Sequence, residues 1–339
     1  MIDLRSDTVT KPTPEMMHAM MSADVGDDVF NEDPTVIALE EKVADMFGME
    51  GALYCPSGTM TNQIALRVHT KPQDEVICDQ RSHIYRYEGG GIANNSLISA
   101  KLLDGPRGIL SPEMIVDGIN PDDIHFPEST LVSLENTVNK GGGCYYTLDQ
   151  ISAIAALCKE KHLKLHLDGA RLFNALVETD EDPTEYGKHF DSISVCFSKG
   201  LGAPVGSALL GSKDTIKRAK RVRKVFGGGM RQAGYLAAAC IYALDHHVDR
   251  LKEDHQKAQA LGDSLSSWAL AEDVLPVDTN IVIVTLKDGF TPDQVLTQLQ
   301  ENGVLAVPFG KKEIRFVTHL DYSEAQLEKT LEIIHGISF

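Results

Sequence analysis

The sequence predicts an α/β protein, with a large domain on a mostly parallel sheet and a small C-terminal α+β domain. Short apolar strand patterns alternate with amphipathic helical patterns along most of the chain, the rhythm of a parallel sheet whose crossovers are helices. Past a long helical stretch the rhythm changes to a compact unit of its own. The expected limits are 1–245 and 246–339, with segment 1–12 packing on the small domain. A chain of 339 residues suits two domains of roughly 100–200 residues each.

The elements follow in order. DPTVIALEEKVADMFG, from Asp33 to Gly48, has a polar start, apolar i/i+3/i+4 spacing and a glycine stop, so it reads as a helix. GALYCPSGTMTNQIALRVHT is a short apolar strand, a Pro-Ser-Gly turn and a second helix. EVICD, LISAKLL, TLVSLEN, KLHLD, SISVCF and SALLG are candidate strands, with LDQISAIAALCKEKH and KDTIKRAKRVRKVF among the helices between them. From about Gly229 to Leu261 the pattern is continuously helical. The small unit then reads as strand IVIVTL, helix TPDQVLTQLQENG, strands VLAVPF and EIRFVTH, and a last helix SEAQLEKTLEIIHG.

A net charge of −17 argues against nucleic acid or an anionic membrane as partner, because the field of the whole protein repels phosphate. No apolar run approaches the ~18 residues of a membrane span. MIDLRSDTVTKPTPEMM is charged and lacks the apolar centre of a signal peptide. The six cysteines are scattered without zinc spacing and read as buried free thiols of a reducing, cytoplasmic setting. The basic run from Lys217 to Lys224 reads as the solvated face of a helix.

Three segments carry chemistry. In VCFSKGLGAPVGS, Lys199 stands between an apolar strand and a Gly/Pro-rich loop. A lysine there either snorkels to water or, partly desolvated, becomes a nucleophile for a carbonyl carbon. In KLHLDGAR, Asp168 ends a strand, where parallel sheets bind ligands. It either caps the next turn or points a carboxylate into the ligand crevice, with Arg171 beside it for an anion. Pro56-Ser-Gly-Thr joins a strand to a helix, and suits an ordinary N-cap or a phosphate cradle. Together, in this order, the three are the parts that pyridoxal phosphate requires: phosphate loop, acidic partner for the pyridine nitrogen, and lysine.

With LRSDTVTKPT, VGDDVF-NEDPT, PSGTM-NQ, SHIYRYE, DIHFP, SLENT, HLDGARLFNA, SVCFSKGLGAPVGS, GGGMRQAG and EIRFVTH in place, the chain resembles the L-threonine aldolases of the low-specificity/allo-threonine group. These are aspartate-aminotransferase-like, fold type I enzymes. The matches run from Met1 to about His319. The resemblance implies pyridoxal 5'-phosphate as cofactor and retro-aldol cleavage of L-threonine or L-allo-threonine, and of other β-hydroxy-α-amino acids, to glycine and an aldehyde. It assigns Lys199 to the covalent link with the cofactor, Asp168 to the ring nitrogen, and Gly58 and Thr59 to the phosphate. Arg231 is a further phosphate contact across a subunit boundary. Ser6, Arg171 and Arg315 take the substrate carboxylate, with Arg171 also at the cofactor. His83 stacks on the ring, and His83 and His125 are the two candidates for handling the β-hydroxyl proton. A homotetramer, built as a dimer of dimers with shared sites, is also implied.

The chain departs from the family pattern at Phe30, where tyrosine is common, and at Val138 and Lys140, where the family has histidine and arginine. Other pyridoxal-phosphate reactions, β-elimination or hydroxymethyl transfer from serine, would use the same lysine, aspartate and cradle. The short chain, SHIYRYE and DIHFP favour the aldolase. A non-catalytic protein on the same fold would be expected to have damaged cofactor residues, and Lys199, Asp168 and the cradle are intact.

Overall fold

The computed structural model describes residues 1–337, so the last two residues of the expected small domain, 338 and 339, lie outside the described residues. In chain order the strands are β1 (Ile2–Asp3), β2 (Gly51–Cys55), β3 (Glu75–Asp79), β4 (Ser99–Leu103), β5 (Ser129–Glu135), β6 (Lys164–Gly169), β7 (Ser192–Cys196), β8 (Ser207–Gly211), β9 (Ala271–Val274), β10 (Ile281–Leu286), β11 (Val304–Leu305), β12 (Val307–Pro308) and β13 (Glu313–Val317).

Seven of them form the large sheet, in the order β2-β8-β7-β6-β5-β3-β4. Neighbouring strands from β7 to β4 are parallel, whereas β8 is antiparallel to both β7 and β2. Every strand except β8 therefore ends at the same edge. The central strands are largely apolar, β7 and β8 being buried at every position, as expected of strands covered on both faces. The core around them runs from Met16 to Leu251 and includes Phe47, Tyr54, Tyr146 and Phe197.

A second core lies in the four-stranded sheet β12-β13-β10-β9 and its helices, where Ala258, Leu261, Trp268, Val282, Phe316 and Ile334 meet. Ile2 and Leu4 belong to this second core. They reach it because β1 pairs in parallel with β11, and the Leu4 carbonyl accepts the Val317 amide at 2.9 Å. The N-terminal segment is thus a strap laid over the small sheet.

Three of the differences from the sequence reading bear on packing. The helical pattern from Gly229 to Leu261 is two helices, Gly234–His246 and Leu251–Ser266. The break at 247–250 follows from the packing. Leu251 belongs to the first core, while Ala258, Leu261 and Leu265 belong to the second. One straight helix could not serve both, and His247 Nδ1 is held by the Leu201 carbonyl at 2.7 Å. VLAVPF splits into β11 and β12, which join different sheets. Within the basic helix Lys213–Val225, Arg223 is buried rather than solvated. Its guanidinium donates to the Tyr54 carbonyl at 2.7 Å and lies 2.8 Å from the Asp28 carboxylate. All six cysteines are buried free thiols.

Because Leu4 is fully buried, Leu4→Ala should cost about 2–5 kcal/mol of stability. A denaturant titration measures it, and a change under about 0.5 kcal/mol would mean the strap contributes no packing.

Candidate active site

The shared strand edge gathers the chemistry. The Pro-Ser-Gly turn follows β2, His83 follows β3, Glu135 ends β5, Asp168 lies near the end of β6 and Lys199 follows β7. Ser57 caps the helix Gly58–His69 through its hydroxyl, which accepts the Met60 amide at 3.2 Å. The Gly58 and Thr59 amides sit in the first turn, where no intrahelical acceptor exists, at the positive end of the helix. Only glycine fits at 58, since a Cβ would lie 2.6 Å from the Cys196 sulfur. An anionic group can therefore approach the backbone there.

Lys199 is half-buried in the loop that joins β7 to its antiparallel neighbour β8. That loop is fixed by Phe197 N to Gly206 O at 3.0 Å, Ala203 N to Phe197 O at 3.1 Å and Gly202 N to Lys199 O at 2.9 Å. Gly206 has φ +140°, and a Cβ there would strike the Cys240 sulfur at 2.6 Å and the Tyr54 ring at 3.0 Å, so the loop returns only through glycine.

A buried polar network lies around Asp168. Asn62, on the helix from Gly58, donates to Asp168 Oδ2 and to Glu88 Oε1, both at 2.9 Å. Glu88 Oε1 also lies 2.9 Å from His83 Nδ1, and its Oε2 accepts from Gln63 at 2.6 Å. Donor atoms of His83, Glu88 and Asp168 thus fall within 4.8 Å of one another. Burial opposes a charged imidazole, but the Glu88 carboxylate, with Asp168 and Glu135 nearby, outweighs it and raises the His83 pKa above its usual value. Glu135 pairs in register with Asp168, and burial followed by that carboxylate pushes it up to about 7. It accepts the His83 amide at 2.7 Å and the Asn139 amide at 2.9 Å.

The arginines approach from the other side. Arg171 makes a bidentate pair with Asp7, its Nε and Nη2 each 2.7 Å from a carboxylate oxygen. Burial would raise Asp7, but Arg171, with Lys199 and the Asn280 amide, holds it well below the usual carboxylate range. Arg315, on β13, donates to Asn139 Oδ1 at 2.8 Å and to the Arg5 carbonyl at 2.9 Å, while its Nε is buried without a partner. Burial, then the Arg171 charge, lowers its pKa to about 10. Ser6, between Arg5 and Asp7, accepts from the Thr8 amide at 3.2 Å. Ser6, Arg171 and Arg315 are thus carried together by the strap. An unpartnered buried guanidinium nitrogen beside Arg171 suits a carboxylate. The free amides at Gly58 and Thr59, the Asp168 carboxylate and Lys199 suit the phosphate, ring nitrogen and aldehyde of pyridoxal phosphate.

Two expected residues lie elsewhere within one chain. His125 is on an exposed loop, its Nδ1 2.7 Å from Asp123, between Ile124 at 99% and Phe126 at 50% exposure. Arg231 is exposed and pairs with Asp27 at 2.9 Å, near the ring of exposed Phe30. Of the departures, Val138 is buried, whereas Lys140 reaches across to the small domain. Its amine donates to the Phe309 carbonyl and lies 3.6 Å from the ring centre. The same ring takes the Arg315 guanidinium at 4.7 Å.

The reading of the sequence assigned no role to Asp7, Asn62, Glu88, Glu135 or His166. Two signals were present. Asn62 and Gln63 are polar residues directly before the apolar run Ile64–Leu66 of their helix, and His166 and Asp168 share one face of β6 by strand alternation.

Residues 3–289 match the family model described as beta-eliminating lyase. The low specificity L-threonine aldolase of Escherichia coli (strain K12) is 43% identical over 330 residues, covering 96% of each chain. Low-specificity L-threonine aldolase 1 of Arabidopsis thaliana is 40% identical, covering 97% of this chain and 94% of that one. A solved threonine aldolase of Leishmania major shares the fold, with a TM-score of 0.85 and 22% identity over 98% of both chains.

Burial lowers His166 to about 4, whereas an unfolded histidine protonates near ~6.5. The unfolded chain therefore takes up its proton first. This contribution to stability is whole above ~6.5 and drains as the pH falls toward the folded value, on the order of 2 kcal/mol by about pH 5. The cofactor-free protein should lose more melting temperature between neutral pH and about pH 5 than His166→Gln does. Equal losses would show that His166 is protonated in the folded chain.

Proposed function

The chain belongs to the beta-eliminating lyase family, among relatives that are low-specificity L-threonine aldolases, and from that premise we propose how its site residues share the work. The reaction is pyridoxal-phosphate-dependent cleavage of L-threonine and related β-hydroxy amino acids to glycine and an aldehyde. The observation that carries the reading is the convergence of Lys199, Asp168, the Gly58–Thr59 amides and two arginines at one strand edge.

Bound pyridoxal phosphate supplies an electron-accepting ring that lets a bond at the substrate's Cα break. Around it, each residue has a task set by its surroundings. Lys199 provides the amine for the aldehyde carbon, Asp168 holds a proton on the ring nitrogen, and Gly58 and Thr59 bind the phosphate through their amides. Arg171, Arg315 and Ser6 grip the substrate carboxylate and thereby orient its Cα–Cβ bond. His83 covers the ring and is our choice for receiving the β-hydroxyl proton, directly or through water. Glu88 occupies its Nδ1, which leaves Nε2 free. His125 reaches a site only if its loop closes or a second subunit presents it.

The same reading includes a homotetramer with sites shared between subunits, and a cytoplasmic location. In support, Arg231, His125, Phe30 and Ile124 stand exposed on one chain. Six buried free thiols suit a reducing compartment, and no helix among the described residues is long and apolar enough to cross a membrane. Light scattering of the purified protein gives the mass directly.

The test is product formation. Glycine and acetaldehyde should appear with L-threonine and L-allo-threonine but not with their D-isomers. Phenol or indole released from tyrosine or tryptophan without aldehyde would instead establish β-elimination. Lys199→Ala should abolish turnover together with the visible band that borohydride bleaches. Since Glu88 raises the His83 pKa, the acid limb of kcat/KM should lie above ~6.5 and move down in Glu88→Gln. An unmoved limb would take His83 out of the proton step.

A further inference from the structure

The polar network behind Asp168 extends further than the functional reading uses. His166 Nε2 lies 3.1 Å from Asn62 Oδ1, and its Nδ1 lies 2.9 Å from Ser192 Oγ. Ser192 Oγ is in turn 2.9 Å from Nε2 of His69, the last residue of the helix that begins at Gly58. His166 and Ser192 are register partners on β6 and β7, so the row crosses from strand to strand under the helix that carries both Asn62 and His69.

The direction of every hydrogen bond in this row is fixed. Asp168 Oδ2 and Glu88 Oε1 are carboxylate oxygens, so Asn62 must turn its NH2 group toward them, one hydrogen to each. Its Oδ1 must then accept, which requires the proton of His166 on Nε2. Nδ1 is left as an acceptor for the Ser192 hydroxyl, whose oxygen accepts from His69 Nε2–H. Burial lowers both histidines, His69 to about 3 and His166 to about 4, so each is a neutral ring with one proton to place. Asn62 and His166 are buried at 1% and 0% exposure. A row of this kind is worth keeping only when every member is satisfied.

We propose that Asn62, oriented by His166, is a positioning residue for the cofactor ring. Its two amide hydrogens keep Asp168 and Glu88 ionised side by side, so that Asp168 holds the ring-nitrogen proton while Glu88 holds His83. Without this bridge, two buried carboxylates whose oxygens lie within 4.8 Å would share a proton between them. The one on Asp168 would come from the ring nitrogen. The inference rests on the functional reading above, because it needs the ring to be bound against Asp168.

The experiment compares wild type, Asn62→Leu, His166→Leu and His166→Gln, each loaded with pyridoxal phosphate labelled with 15N in the ring. At one neutral pH, the nitrogen shift should be that of a protonated ring in wild type. It should move toward the unprotonated value in Asn62→Leu and part of the way in His166→Leu. His166→Gln, whose amide can still donate to Asn62, should return it to the wild-type position. With threonine, kcat should fall about tenfold or more in Asn62→Leu, the equivalent of one pKa unit. KM should stay within about twofold, because the carboxylate-binding arginines are untouched. If Asn62→Leu does not fold, the two His166 variants decide by the same nitrogen signal. A ring nitrogen equally protonated in all folded variants overturns the proposal, whatever their melting temperatures. A wild type that forms no borohydride-reducible adduct at Lys199 overturns the functional reading and this one with it.

Discussion

The buried pair of Asp7 and Arg171 is the interaction on which the site's geometry depends. Asp7 belongs to the N-terminal strap, Arg171 to the loop after β6, and the same carboxylate accepts from Asn280 in the small domain at 3.3 Å. One fully desolvated carboxylate therefore joins three separate parts of the molecule. Two charges taken out of water gain little net stability. Their value here is geometric, since a guanidinium held by two parallel bonds has one orientation left. Removing either partner would strand the other as an uncompensated buried charge.

The strap then carries this order across to Arg315. Its Arg5 carbonyl accepts from Arg315, and its Leu4 carbonyl accepts from Val317 on the same strand. The two guanidinium groups proposed to take a substrate carboxylate are thus spaced by a few residues of extended chain whose apolar side chains, Ile2 and Leu4, are anchored in the small core. Packing, backbone pairing and ion pairing all specify the same arrangement, a consistency expected of a preorganised site.

Much of this was legible in the sequence. Alternating strand and helix patterns give the large sheet, and the C-terminal ends of its strands give the edge that carries both Asp168 and Lys199. What stayed hidden has physical reasons. The antiparallel insertion of β8 depends on which strands pair, which local periodicity does not encode. The division of one helical pattern into Gly234–His246 and Leu251–Ser266 depends on two cores that only the folded chain defines. Asp7 and Arg171 are 164 positions apart, and nothing local announces that an aspartate near the N-terminus will be buried. Glu88 and Glu135 look like ordinary surface acids in one dimension. Their burial at 7% exposure each is a property of the tertiary structure.

The antiparallel placement of β8 has a mechanical meaning. In a parallel sheet a strand is ordinarily followed by a helix, and a side chain just past the strand end rides on that helix. Lys199 instead sits in a hairpin closed by Phe197 and Gly206, braced on both sides by sheet hydrogen bonds. Arg315 is mounted on the four-stranded sheet, on β13. Under the proposed function, the anchor of the cofactor therefore belongs to the large sheet, and the grip on the substrate is shared between that sheet and the small one.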